Sequence, residues 1–151
     1  MLLWLESTLL ARAVGESVLT TAMLSALHLI GFTLVMSGGV VSGLRAAGLL
    51  LRRVPLEAIA RPARRLLLTG LPISVVTGIT LFLPRASYMA TGNFFRTKMA
   101  LLIVAAVYSY CLLTLLRRRD LVRPWIRPAG LVGALLWLAL AVTACAFILF
   151  E

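Results

Sequence analysis

Residues 18–43 read VLTTAMLSALHLIGFTLVMSGGVVSG. The stretch has no Asp, Glu, Lys or Arg, and it holds the one histidine of the chain, His28. A helix of about 20 residues, rising ~1.5 Å per residue, crosses the hydrocarbon core of a bilayer. The stretch therefore predicts a membrane-spanning helix. Three more apolar blocks follow it, so the expected fold is all-α: an integral membrane four-helix bundle with a short N-terminal interfacial helix.

Composition agrees. The 151 residues are 62% hydrophobic with a mean hydropathy of +1.04, whereas soluble domains lie near 45–50% apolar. The net charge of +10 comes from 15 Lys+Arg against 5 Asp+Glu. The arginines gather in connectors between apolar blocks, as membrane topology requires, and connectors one and three hold a single aromatic, Trp125, too few for a base-stacking surface. Nucleic acid is not an expected partner; the lipid bilayer is.

Residues 1–16, MLLWLESTLLARAVGE, place Leu2, Leu5, Leu9 and Ala13 on one helical face, with Glu6, Arg12 and Glu16 polar. The segment is too short and too charged to span. It predicts an interfacial helix with Trp4 at headgroup level. No basic n-region precedes its apolar residues, which argues against a signal peptide.

The four-span bundle is expected over 17–151, with spans at about 18–41, 66–83, 97–116 and 129–150. The first helix is expected to be unusually long and to run toward Pro55, the first hard stop. Pro72 predicts a kink near Thr69–Pro72 in the second. Residues 84–98 read as a loop. Connectors one and three hold Arg45, Arg52, Arg53, Arg61, Arg64, Arg65, Arg117, Arg118, Arg119, Arg123 and Arg127. The opposite side holds Arg12, Arg85, Arg96 and Lys98, of which Arg85, Arg96 and Lys98 can pair with Glu6, Glu16 or Glu151 there. Excess Lys/Arg stays cytoplasmic. The expected location is a bacterial inner membrane, multi-pass, with both termini periplasmic.

The threading sets depths. His28 lies ~15 Å from the outer end of its helix by helix rise, near the midplane. An ionisable side chain at that depth is a functional-site candidate. By depth, Ser74 and Thr77 on the second span and Tyr108 on the third are its expected neighbours. His28, Ser74, Thr77 and Tyr108 thus form the candidate cofactor-binding set. A neutral histidine can equally hydrogen-bond across helices and hold two of them together. A haem held by His28 and a methionine, a copper site, a quinone head group and a proton relay are the functional readings. Met36 and Met99 are the methionines nearest in depth. Cys111 and Cys145 are separated by about 20 Å along the normal from the same rise, beyond the ~7 Å a disulfide allows.

Gly39 and Gly43 form a GxxxG, and Gly70, Ser74 and Gly78 repeat small residues every fourth position. Such faces let helices approach closely, within the bundle or against a membrane-protein partner or a second copy. The sequence shows no P-loop, HExxH, GxSxG or dinucleotide fingerprint, and no paired-carboxylate set. Neither a catalytic residue nor a metal centre is expected, and the chain reads as a non-enzyme.

The histidine followed by Gly31 and the segment Leu44, Arg45, Gly48 are two features that recur together in a known family. Thr77–Gly78 and the run Asn93, Phe94, Phe95, Arg96, Thr97, Lys98, Met99 are two more. On these, residues 27–110 resemble a family of small bacterial inner-membrane proteins of unknown function. That family is distantly similar to the membrane part of copper-resistance D proteins, which are associated with copper uptake. Such relatives tend to carry a further histidine or an acid after the first-span glycines, where this chain has Ser42–Gly43. The resemblance implies a four-helix membrane fold. The expected function is a structural or accessory subunit of a larger membrane complex; the alternative is intramembrane binding or transport of haem, copper or a quinone through His28.

Overall fold

The computed structural model describes residues 2–116 and 124–150. All elements among them are helical: α1 (Leu2–Glu6), α2 (Leu9–Glu16), α3 (Val18–Ala46), α4 (Leu56–Phe82), a 3-10 turn (Leu83–Arg85), α5 (Ala86–Thr91), α6 (Asn93–Leu116) and α7 (Ile126–Phe150). Four helical stretches are long and apolar enough to cross a membrane: Val18–Ala46, Leu56–Thr91, Asn93–Leu116 and Ile126–Ala146. The chain is an all-α, multi-pass membrane bundle. Arg117, Arg118, Arg119, Asp120, Arg123 and Glu151 lie outside the described residues.

Local chemistry breaks the expected N-terminal helix in two. Ser7 Oγ donates to Trp4 O at 2.8 Å and Thr8 Oγ1 donates to Leu5 O at 2.7 Å, closing α1. Thr8 then caps α2 by accepting from Ala11 N at 3.3 Å. Ser17 caps α3 in the same way, accepting from Thr20 N at 3.2 Å. Hydroxyl acceptors satisfy N–H groups that a helix start leaves unpaired.

α3 also ends earlier than its apolar pattern suggests. Gly48 takes the left-handed conformation, φ +75°. Leu49 N donates to Leu44 O at 3.0 Å and Gly48 N to Arg45 O at 3.0 Å. This is the Schellman closure that a glycine just past a helix end permits. Arg45 Nε then donates to Val54 O at 2.8 Å, folding the connector over the helix end. α4, in contrast, continues through Pro62 and Pro72. Residues 84–98, expected as a loop, are helical apart from Gly92.

The helices alternate in direction. Val18, Phe82 and Asn93 lie at one end of the bundle, here the terminal end; Ala46, Leu56, Leu116 and Ile126 lie at the other, the arginine end. α3 packs on α4 and α7, and α6 closes the ring against both of them. The contacts are glycine-mediated. A Cβ on Gly70 would sit 2.7 Å from Gly31 O, and one on Gly38 would sit 2.8 Å from Ala63 O, so α3 and α4 touch backbone to backbone. A Cβ on Gly130 would lie 2.5 Å from both Ala47 N and Gly43 O, so α3 and α7 do the same. Lipid tails are as apolar as leucine, so close packing rather than water exclusion drives this association.

Two buried clusters fill the bundle. Ala46, Ala60, Ala63, Leu112, Leu113, Leu116 and Ile126 pack at the arginine end. Val35, Leu67, Ala105, Trp137 and Leu140 pack in the middle, with Trp137 fully enclosed. Trp137 Nε1 donates to Ser109 Oγ at 2.7 Å, satisfying the indole inside the core. Toward the terminal end this packing thins to partly buried contacts, among them the stacked rings of Phe82 and Phe95, 5.1 Å between centroids. No residue of 18–30 on α3, 78–82 on α4, 93–104 on α6 or 141–146 on α7 is buried.

α1 and α2 sit over that end against the 3-10 turn and α5. Glu6 Oε1 accepts from Ser87 N at 2.8 Å and from Ser87 Oγ. It therefore meets a serine rather than the cations expected for it. Hydrogen bonds from the Ser87 hydroxyl and then the Ser87 amide hold the Glu6 carboxyl below its ordinary range. A depressed carboxyl contributes stability above its ordinary value, and that contribution disappears as pH falls through the lower, folded-state value. Amide-exchange protection at Ser87, corrected for intrinsic rates, is expected to fall across that acidic window. Glu6→Gln is expected to lower protection at neutral pH and to flatten the pH dependence.

Candidate intramembrane site at His28

His28 is the eleventh residue of α3, which puts it ~15 Å along the helix by rise. Its Nδ1 lies 3.1 Å from Thr77 Oγ1 on α4. The Thr77 hydroxyl donates its own proton to Ile73 O at 2.6 Å, with Ser74 O at 3.3 Å. A Thr77 hydroxyl that gives its proton to Ile73 O accepts at its oxygen, the arrangement in which His28 Nδ1 donates and Nε2 is left uncommitted by this contact. Ser74 Oγ donates to His28 O at the longer distance of 3.5 Å.

The ring lies over Gly78: a Cβ there would stand 3.1 Å from His28 Cε1 and 3.4 Å from Nδ1. One turn deeper, a Cβ on Gly31 would meet Ser74 N at 2.8 Å. Glycine on each helix thus brings α3 and α4 close enough for the short Thr77 hydroxyl to reach the imidazole.

Three of the four expected residues come together, and Tyr108 does not join them. Its hydroxyl donates to Ala129 O on α7 at 2.8 Å, toward the arginine end. The long phenol reaches a carbonyl in the first turn of α7 rather than the bundle midplane. Two residues were missed by depth alone. Gly78 is one, and the TG dipeptide was its signal. Lys98 is the other: α6 begins at Asn93, so Lys98 is a half-buried cation inside the helix rather than at its mouth. The signal was a cation placed one turn ahead of an otherwise uncharged apolar run.

Chemically, the site offers one imidazole whose Nδ1 meets the Thr77 hydroxyl, with the Ser74 hydroxyl beside it on the same helix. Such an N–H anchor is the arrangement that orients ligating histidines. Among the described residues, no group of three or more His, Cys, Asp or Glu is placed to hold a metal ion. The His28–Thr77 contact also joins two helices. His28→Ala is expected to lower stability by about 1–2 kcal/mol, Thr77→Val by a similar amount, and the double variant by clearly less than the sum. Unfolding of the detergent-solubilised protein measures this cycle; additive losses would mean the contact is not made.

The chain belongs to a family of unknown function (DUF6644), whose model matches residues 2–150. The match covers the N-terminal helices and all four spans, and it carries no link to copper-resistance D proteins. No curated protein and no solved structure matches the chain.

Proposed function

We propose that this protein is an accessory subunit of a larger membrane complex, and that the terminal half of its bundle receives a transmembrane partner. The observation that carries this reading is the burial gradient. The arginine end and the middle of the bundle hold the two apolar clusters, while residues 18–30, 93–104 and 141–146 include no buried position. Inward-facing positions there, such as Leu101 and Leu102, are only partly buried. A helix from another chain, or from a second copy, would complete the packing that these four helices leave open. The excess of Lys/Arg at the opposite end supports a bacterial inner-membrane orientation with that end cytoplasmic and both termini periplasmic.

A second reading is favoured by the His28–Thr77 contact. An imidazole whose Nδ1 donates to Thr77 keeps Nε2 for a haem iron, a copper ion or a quinone carbonyl. The distant resemblance to copper-resistance D proteins lies in the same direction, and the absence of a second histidine in the sequence lies against it.

Photo-crosslinking separates the two. A crosslinker placed at Leu27 or Ile103, in the open half, is expected to give one adduct of defined mass in native membranes. A crosslinker at Leu68, on the arginine half, is not. His28→Ala should leave that adduct unchanged. If the adduct is missing, and a Soret band or stoichiometric copper is present and lost with His28→Ala, the second reading replaces the first.

A further inference from the structure

At the arginine end, α4 carries Arg61, Arg64 and Arg65 on one helical face, at spacings of three and four residues. With Leu68, one turn further along, they line a cavity of about 410 Å³. The Arg64 guanidinium lies over the Tyr110 ring of α6, 5.6 Å from its centroid. That contact holds the side chain against the bundle. Arg64 Nε is buried and has no hydrogen-bond partner among the described residues. The Arg64 side chain as a whole is half-buried and lines the cavity, so the N–H groups of its fork can turn to an acceptor placed there.

The shape of the site selects the acceptor. Three guanidinium groups favour a phosphate, which accepts two or more N–H bonds from planar forks. The cavity is also graded. The arginines stand on the first turns of α4, and Leu68, 48% exposed, stands on the apolar side toward the spanning segment. A phospholipid has this order of groups from headgroup to acyl chain. Free phosphate has no use for Leu68. We infer that the Arg61–Arg64–Arg65 cavity binds the phosphate of an anionic phospholipid, with an acyl chain running over Leu68.

The test uses the full chain, solubilised in mild detergent and titrated with phosphatidylglycerol, phosphatidylcholine or inorganic phosphate, and read by native mass spectrometry. Wild type is expected to retain phosphatidylglycerol through delipidation and to release phosphatidylcholine. Each of Arg61→Gln and Arg64→Gln is expected to weaken phosphatidylglycerol retention about fivefold, from about 1 kcal/mol per cation near anionic lipid. Arg64→Lys keeps the charge but not the fork. It is expected to fall between wild type and Arg64→Gln, and it reports on the site if the glutamine variant folds poorly. Equal retention of the two lipids overturns the inference. So does displacement of phosphatidylglycerol by millimolar inorganic phosphate, which would assign the cavity to the free anion. Retention of an acidic protein segment in place of lipid would overturn it as well.

Discussion

Gly130→Leu is expected to abolish the folded bundle or to destabilise it by at least about 3 kcal/mol, at the upper end of overpacking costs. The position is unforgiving because its neighbours are backbone. A Cβ at 130 would lie 2.5 Å from Ala47 N and from Gly43 O, and 2.7 Å from Ala46 Cβ. No rotamer change relieves a clash with main-chain atoms. α7 must move away from α3, which opens the cluster holding Ala46 and Ile126. Unfolding in detergent, followed by circular dichroism, measures the loss. Gly48→Asn is the companion variant. It keeps a residue that tolerates the left-handed conformation and is expected to be nearly neutral. An unfolding profile for Gly130→Leu equal to wild type would mean that α3 and α7 do not touch there.

Gly39→Leu has the second-largest expected effect, and its signature is optical. A Cβ at 39 would fall 2.1 Å from Trp137 Nε1 and 2.3 Å from Trp137 Cδ1. The indole must leave its enclosed site and give up its bond to Ser109. The lost packing and the unpaired buried donor together cost about 2–5 kcal/mol. In a Trp4→Phe, Trp125→Phe background Trp137 is the sole indole. Its fluorescence should resist quenching by brominated acyl chains in the parent and become quenchable in the Gly39→Leu variant. Ser109→Ala should show a smaller destabilisation of about 1–3 kcal/mol, with the ring still shielded.

These residues also show what could be read from the sequence. The four spans were legible because uncharged apolar runs of that length have few other uses. The Gly39–Gly43 and Gly70–Gly78 faces announced close approach, although not which helix each would meet. Gly39 turned out to seat a tryptophan from α7, and Gly43 a glycine. The pairing of His28 with Thr77 and Ser74 followed from depth counting, because α3 and α4 are antiparallel and adjacent. Tyr108 escaped the same counting. A phenol reaches several ångströms from its own Cα, and its hydroxyl took a carbonyl on α7 instead. Lys98 escaped because Pro84 and Gly92 look like loop punctuation, while the chain stays helical around them. The end of α3 escaped because leucines follow Gly48 as if the helix continued. The glycine was the stop signal, and the apolar pattern obscured it.

The N-terminal helices carry a similar lesson. Their amphipathic pattern predicted an interfacial element, and the structure adds a specific anchor: the Glu6 carboxylate on Ser87. That anchor ties the start of the chain to the connector between α4 and α6. It sets α1 and α2 over the end of the bundle where residues 18–30, 93–104 and 141–146 include no buried position, so a partner entering there would meet the four spans and the N-terminal helices together.

The threading is tested most directly by impermeant thiol labelling. Single cysteines are introduced at Ser7, Leu49 and Thr91, all exposed, in a Cys111→Ala, Cys145→Ala background. In oriented membranes, positions 7 and 91 should react from one side and position 49 only from the other, with 7 and 91 facing the periplasm. Reaction of positions 7 and 49 from the same side would contradict the four-span bundle on which the His28 site, the open terminal half and the arginine cavity all rest.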